Sequence, residues 1–217
     1  MAHDPFERYN RAMYAFNDSF DRAIAQPVAR GYQAVMPSWA DRGITNFFSN
    51  IGDISVIVND LLQLKFKQCL ADFTRFVINS TVGLAGFIDI ATSWGLKKHN
   101  EDFGQTLGYW GLPPGPYLIL PFLGPGTVRD TTGLVVDLFA FDPTINYVHD
   151  AAIRNRMLLT DFVDTRADLL QSSRLLDTAA LDPYAFLREA YLQRRQNLVY
   201  DGNPPDEDKL DPFADEP

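Results

Sequence analysis

Residues 66–79, "FKQCLADFTRFVIN", decide the fold class, because their polar and apolar residues recur with the period of an α-helix. The apolar residues follow steps of three and four, which places them on one side of a helix. On that face lie Phe66, Cys69, Leu70, Phe73, Phe76 and Val77, and on the opposite face Gln68, Asp72, Arg75 and Asn79. The segment therefore predicts an amphipathic helix.

The neighbouring segments continue the helical pattern in both directions. Residues 54–64, "ISVIVNDLLQL", are apolar around most of a helix and leave a narrow polar strip at Asn59, Asp60 and Gln63. Nearer the N-terminus, an aromatic stripe with steps of three and four comprises Phe6, Tyr9, Met13, Phe16 and Phe20. No convincing alternation typical of strands occurs, so the sequence predicts an all-α fold.

Two later helices have recognisable starts. Thr127 followed by Asp130 is typical of an N-cap, and Asp182 followed by a proline is typical of the start of a last helix. The length of 217 residues suits one domain with a sizeable core. We therefore expect a single helical domain over residues 1–200, followed by a tail over residues 201–217.

The net charge of −9 is concentrated in that tail, which carries seven acidic residues and one lysine. An acidic, proline-rich segment with few apolar residues is predicted to be disordered. The first 200 residues are close to neutral, which argues against a nucleic-acid-binding protein, since such proteins need basic residues to meet phosphates.

The residues that carry chemistry are sparse. There is one cysteine, Cys69, and the histidines His3, His99 and His149 are far apart, so the sequence predicts neither a metal site nor a redox motif, and no cofactor. The "GPGTVR" stretch at 124–129 lacks the third glycine of a dinucleotide loop, and neither G-x-S-x-G nor H-E-x-x-H occurs. The prediction is a protein that is not an enzyme.

Residues 111–127, "GLPPGPYLILPFLGPGT", match neither an ordinary helix nor a solvent-exposed loop, because glycine and proline are mixed with large apolar residues. Proline removes backbone donors, and glycine allows tight reversals. Irregular backbone at membrane depth is tolerated when it lines a cavity, so the segment suits the wall of an amphipathic passage. A rigid turn that plugs a soluble core is the other interpretation of the same residues.

Four stretches, in a fixed order, resemble one protein family. They are "DPFERYNRAMYAFND", "RFVINSTVGLAGFIDIA", "DFGQTLGYWGLPPGPYLILPFLGPGTVRD" and "DPYAFLREAYLQRR". Together they are similar to the MlaA (VacJ) family of outer-membrane lipoproteins, over roughly residues 4–198.

The resemblance implies a ring-like single domain of amphipathic helices with an irregular Gly/Pro-rich apolar hairpin. It implies a protein embedded in the Gram-negative outer membrane beside a trimeric porin. It also implies removal of mislocalised phospholipids from the outer leaflet through an amphipathic passage and their delivery to a periplasmic lipid carrier, MlaC, without catalysis. Family members are made with a secretion signal that ends in a lipidated cysteine. This sequence contains no such segment, so we expect it to be the processed or truncated body of a family member.

The resemblance and the composition together point to candidate site residues. In the hairpin these are Gly111, Gly115, Tyr117, Leu120, Pro121, Phe122, Gly124 and Gly126. Three of the glycines, Gly115, Gly124 and Gly126, are expected to act as pivots, and the larger residues to line or gate the passage. Asn46 and Phe47 of "GITNFFSN" are expected to lie on a helix that influences whether the passage is open.

Two other functions compete with lipid transport. One is a soluble helical interaction protein whose apolar hairpin docks a protein partner. The other is a lipid-acting enzyme, which would need a nucleophile with a base, and neither Ser80 nor Ser93 has a recognisable one.

Overall fold

The computed structural model describes residues 4–171 and 181–205. Most of these residues are helical, which confirms the predicted fold class. The helices are α1 (Glu7–Phe20), α2 (Gln26–Val35), α3 (Ser38–Leu62), α4 (Phe66–Thr81), α5 (Ile90–Ser93), α6 (Phe103–Tyr109), α7 (Val128–Val136), α8 (Pro143–Tyr147), α9 (Ala151–Asp168) and α10 (Pro183–Val199). The predicted acidic tail lies outside the described residues from residue 206 onward.

Two five-residue π-helical segments interrupt this pattern, Asp21–Ala25 between α1 and α2 and Asp137–Phe141 after α7. Each begins with an aspartate that binds another part of the chain. Asp21 accepts a hydrogen bond from Arg166 Nη2 at 2.7 Å, and Asp137 accepts one from the Phe103 backbone N–H at 2.8 Å. Single π-helical turns commonly occur where a helix must change direction or expose a group.

The predicted helix starts are confirmed at two places. Thr127 Oγ1 accepts the Asp130 backbone N–H at 3.2 Å, and Asp182 Oδ1 accepts that of Ala185 at 3.2 Å. Each bond satisfies one of the backbone donors that the first turn of a helix leaves without an intrahelical acceptor.

One segment is more regular than the sequence suggests. Residues 111–127 contain a two-stranded antiparallel sheet, β1 (Tyr117–Leu120) and β2 (Gly124–Thr127), in which Tyr117 pairs with Thr127 and Leu120 with Gly124. Pro125 pairs with Ile119, whose N–H is bonded to helix α1 instead of to β2. A proline, which has no N–H to donate, therefore fits this position of the ladder.

The interior of the protein is unusually polar. Among the described residues, polar and charged side chains outnumber apolar ones in the fully buried set, and Ile119 is the one apolar residue among the largest buried side chains. Two small apolar clusters complement this interior, one around Ala29 and Ala167 and one around Tyr117 and Tyr184. Within the described ranges, no helix combines the length and the hydropathy that crossing a bilayer requires.

Candidate functional site

The hairpin turns within residues 121–123, and unusual backbone angles occur in this turn and at the first residue of β2. Gly124 has a φ of +84°, and Phe122 has a φ of +64°, which is rare for a large side chain. The Phe122 ring packs edge-to-face against Phe16 and Phe20 of α1, with centroid distances of 5.2 and 5.0 Å. These two aromatic contacts hold a strained residue at the tip of the hairpin against α1.

Two asparagines of α1 bind the outer edge of β1. Asn10 Nδ2 donates to the Tyr117 carbonyl at 3.0 Å, and Asn10 Oδ1 accepts the Ile119 N–H at 2.9 Å. Asn17 repeats the arrangement, donating to the Leu120 carbonyl at 2.9 Å and accepting the Phe122 N–H at 2.8 Å. Helix α1 thus supplies the edge bonds that a third strand would supply.

At its base the hairpin is tied to the start of α7. The backbone N–H groups of Val128 and Arg129 donate to the carbonyls of Pro116 and Pro114, both at 3.1 Å. Gly111 and Gly115 both have positive φ, +91° and +67°, so the chain reverses there at little cost.

An ionic network lies beside this base. Arg195 of α10 donates to Asp102 Oδ1 at 2.9 Å and to Asp130 Oδ1 at 2.8 Å, and Arg129 donates to Asp130 Oδ1 at 3.0 Å. The Tyr191 hydroxyl donates to the other oxygen of Asp130 at 2.9 Å. Burial alone would raise the pKa of Asp102 and of Asp130, but the charges and hydrogen bonds of the arginines outweigh it and lower both pKa values.

The predicted hairpin residues fall into three environments. Tyr117 is buried, and its ring packs against Tyr184 and Tyr191 of α10. Leu120 and Gly126 line a cavity of about 240 Å³ beside the ionic network, and Gly126 lies inside a strand with an ordinary backbone. The tip residues Pro121 and Phe122 are exposed.

Asn46 and Phe47 belong to a different part of the molecule. Asn46 Nδ2 donates to the Phe87 carbonyl at 3.2 Å, and the Phe47 ring stacks on that of Phe87 at 5.0 Å. Both residues lie on α3, and Phe47 also lines a cavity of about 330 Å³ that extends to Ile153 of α9. The bonds and ring contacts described for this pair join it to Phe87 in the turn after α4 and to Phe48 of α3, and none of them joins it to the hairpin.

A second polar cluster lies between α3 and α4. Glu101 accepts hydrogen bonds from Gln63, Lys65 and Gln68 at 2.9, 3.0 and 2.9 Å. Burial, followed by the nearby charges of Asp72 and Glu101, raises the pKa of Asp60 to about 7. Over the described ranges, no group of three or more histidine, cysteine or acidic side chains is placed to hold a metal ion.

Sequence reasoning missed Asn10, Asn17 and Arg195. The asparagines are seven residues apart, so they share a face of α1, and two polar residues beside an aromatic stripe are the signal that points to them. No comparable sequence signal distinguishes Arg195 from its neighbour Arg194, since only the fold brings it to Asp102 and Asp130.

Known proteins match most of the chain. The family model described as MlaA lipoprotein matches residues 2–198. Proteins named intermembrane phospholipid transport system lipoprotein MlaA are 38% identical in Escherichia coli and 36% identical in Haemophilus influenzae, over 92% of this chain and 79% and 80% of theirs. An uncharacterised protein of Rickettsia typhi is 33% identical over 91% of this chain and 78% of its own.

A solved structure supports the same assignment. It concerns the structural basis for maintenance of bacterial outer membrane lipid asymmetry, and it matches with a TM-score of 0.78 at 33% identity. The match covers 91% of this chain and 99% of that one. Sequence and fold agree over nearly the whole chain, and the protein belongs to the MlaA lipoprotein family.

Proposed function

We propose that this protein removes mislocalised phospholipids from the outer leaflet of the outer membrane through an amphipathic passage. The observation that carries the proposal is the orientation of α4, which places its polar face inside the protein and its apolar face outside. Asp72 and Arg75 are 0% and 2% exposed, whereas Phe66 and Leu70 are 63% and 66% exposed. This orientation is the reverse of that of a helix on the surface of a water-soluble protein.

Solvent chemistry explains why the reversed helix favours a membrane. Exposed phenylalanine and leucine cost free energy in water, about 25 cal/mol for each Å² of apolar surface, and none in hydrocarbon. Buried charges need partners, and Arg75 donates to Asp89 Oδ2 at 3.2 Å and to Thr92 at 3.1 Å. Further large apolar side chains are exposed on other elements, among them Trp39, Leu84, Trp94, Phe139 and Leu159.

A phospholipid needs an apolar path for its chains and a polar path for its head group. The hairpin borders both kinds of surface, since Leu120 and Leu123 share a cavity with Asp102 and Asp130. In the proposal, Tyr117, Leu120, Pro121 and Phe122 line or gate the passage. Of the three glycines expected to act as pivots, Gly115 and Gly124 have positive φ and keep that role, whereas Gly126 lies inside β2 with ordinary backbone angles and lines the cavity. Asn46 and Phe47 of α3 influence the open state from their contact with Phe87.

The partners and the anchor in this proposal are an extension from family membership. The relatives are named as lipoproteins of an intermembrane phospholipid transport system, which supports a role in the cell envelope. We extend this to a lipid-anchored form that sits in the outer membrane beside a trimeric porin and delivers phospholipid to the periplasmic carrier MlaC. In the proposal, residues 1–200 are the transport domain, and the acidic stretch of residues 201–217 follows it in the sequence.

The test is native mass spectrometry, with lipid extraction, on protein gently purified from outer membranes. The expected result is a complex that contains phospholipid and a trimeric porin. A lipid-free and porin-free monomer that is stable without detergent would overturn the proposal and favour the soluble interaction protein. A phospholipase assay on the same sample tests the lipid-acting enzyme.

A further inference from the structure

A half-open cavity of about 390 Å³ lies at the base of the hairpin, between residues 111–114 and the C-terminal half of α10. Its volume is within the usual range for a small-ligand site. Its lining includes four apolar residues, Leu112, Pro113, Leu192 and Val199. Two arginines, Arg129 and Arg195, also line it. The cavity therefore offers apolar surface and positive charge side by side.

The charge of this cavity differs from that of its neighbour. Among the described residues that line it, none is acidic. The carboxylates that pair with the two arginines, Asp102 and Asp130, line the 240 Å³ cavity instead, and Arg195 lines both. The ionic network thus divides the region into an acidic side and a side where guanidinium groups predominate.

Both arginines retain donors that the ionic network does not use. Arg129 is 8% exposed, and its Nη1 reaches the Leu112 carbonyl only at 3.4 Å, the length of a weak hydrogen bond. Arg195 Nε is buried and has no hydrogen-bond partner within residues 4–171 and 181–205. The absence of a side chain at Gly108 leaves room for the Arg129 guanidinium, since a Cβ at that position would lie 2.8 Å from Arg129 Nη1.

We propose that this cavity binds the phosphate of a phospholipid head group, with the adjoining part of the acyl chains on its apolar residues. Guanidinium groups bind phosphate through charge-assisted hydrogen bonds, and arginine is more weakly hydrated than lysine, which favours such contacts in a half-buried site. The choice of a lipid, as opposed to free phosphate, rests on the proposed function. The site would bind the lipid head group at one point along the passage, beside the hairpin base.

Gln196 allows a test that leaves the arginines in place. It lies on α10, lines the cavity and is half-buried. Gln196→Glu keeps the size of the side chain and adds a negative charge to the wall. The matched control is Gln193→Glu, which makes the same change at an exposed residue of the same helix outside the cavity. Both variants of the 217-residue chain are compared with wild type by thermal unfolding in non-ionic detergent, so that a folding defect is recognised.

Binding is measured by titration calorimetry with three probes: dihexanoylphosphatidylglycerol, dihexanoylglycerol and inorganic phosphate. The expected result is binding of the phospholipid that Gln196→Glu weakens about tenfold, as a like charge at close range produces in a partly screened site, and that Gln193→Glu leaves within about twofold. Dihexanoylglycerol, which lacks the phosphate, is expected to bind more weakly and to be insensitive to the substitution.

Equal loss with both variants, or phospholipid binding that neither variant changes, would overturn the site. Binding of inorganic phosphate without binding of the phospholipid would overturn the lipid assignment. The proposed function is tested by a different experiment, the native mass spectrometry on protein purified from outer membranes. Lipid and porin recovered there together with unchanged calorimetry for Gln196→Glu would leave the function and refute the site. Phospholipid binding in the cavity, together with a membrane preparation that contains neither lipid nor porin, would support the site and refute the proposed function.

Discussion

Asn10 binds Ile119 across the boundary between helix α1 and the hairpin, with the Ile119 N–H donating to Asn10 Oδ1 at 2.9 Å. The same side chain donates to the Tyr117 carbonyl and to the Asp4 carboxylate, which also accepts the Tyr184 hydroxyl. One buried amide therefore connects the N-terminus, the hairpin and, through Asp4, the last helix. The hairpin is part of a packed unit with α1, and any movement of the hairpin must break these bonds or carry α1 along.

Asn10→Ala is expected to lower the free energy of unfolding by about 2–3 kcal/mol, because it leaves a buried N–H and a buried carbonyl of β1 unpaired. The amides of residues 117–120 should exchange with solvent faster than in wild type. Hydrogen exchange read by mass spectrometry checks both the size and the place of the effect. Asn17→Ala is the matched variant and should cost less, because one of its bonds is only partly buried and the other is exposed. Unchanged exchange in Asn10→Ala would refute the proposed role of the asparagine.

Gly124→Val is expected to impair lipid transport while the helical circular dichroism spectrum stays native. Nothing lies within 4 Å of a Cβ at this position, so the obstacle is the φ of +84°, which costs a β-branched residue about 1–2 kcal/mol. Gly124→Asn is the control, since asparagine tolerates positive φ better than valine. Transport is followed as loss of phospholipid from the outer leaflet of cells. Intact transport in Gly124→Val would count against the pivot.

The sequence predicts the helices well because a period depends on neighbouring residues alone. The period of α4 is visible in residues 66–79, but it does not say which face is buried. The same spacing of Phe73, Asp72 and Arg75 fits a helix in water, whose apolar face is buried, and a helix in lipid, whose polar face is buried. The orientation follows from the surroundings, which the segment does not contain.

The candidate site is predictable only in part for a related reason. The composition of the hairpin is enough to single it out, but its partners lie far away in sequence: Asn10 is 107 residues from Tyr117, and Arg195 is 65 residues from Asp130. The two-stranded ladder was also missed, because glycine and proline are rare in strands and α1 supplies bonds that a strand would otherwise lack. Long-range pairing of this kind has no local signature.

The reversed orientation of α4 predicts opposite effects on its two faces. Phe73→Gln, on the exposed face, should change the free energy of unfolding in detergent by less than about 0.5 kcal/mol. It should weaken membrane association by about 1–2 kcal/mol, because one apolar ring no longer enters the bilayer. Flotation with liposomes checks the second value. Loss of stability in detergent without loss of flotation would show that Phe73 belongs to a protein core.

On the buried face of the same helix, Arg75→Met should lower the free energy of unfolding by about 3 kcal/mol. The change leaves Asp89 without its ion pair and the Leu96 carbonyl without its donor. Chemical denaturation in detergent measures the effect. A variant as stable as wild type would mean that the polar face of α4 is not the packed one.

Asp60 makes stability depend on pH near neutrality. Burial and the charges of Asp72 and Glu101 raise its pKa to about 7 in the folded protein, above the value of 3.8 expected for the unfolded chain. The folded state therefore binds the proton more tightly. The stabilisation is complete below pH 3.8 and is lost as pH rises through about 7.

Asp60→Asn mimics the protonated side chain at every pH, so it should raise the unfolding temperature at pH 8 and raise it by less at pH 5, where the unfolded carboxyl is already ionised but the folded one is still protonated. Asp89→Asn is the opposite case, since the folded pKa of Asp89 is lowered to about 2 by bonds from Thr92, Asn79 and Arg75 that outweigh burial. That variant should lose stability at both pH values, because wild-type Asp89 is ionised at both. Thermal unfolding in detergent measures the difference in unfolding temperature between each variant and wild type at pH 5 and at pH 8. An Asp60→Asn variant whose unfolding temperature falls at pH 8 would show that the charged carboxylate is required there and that its pKa is not raised.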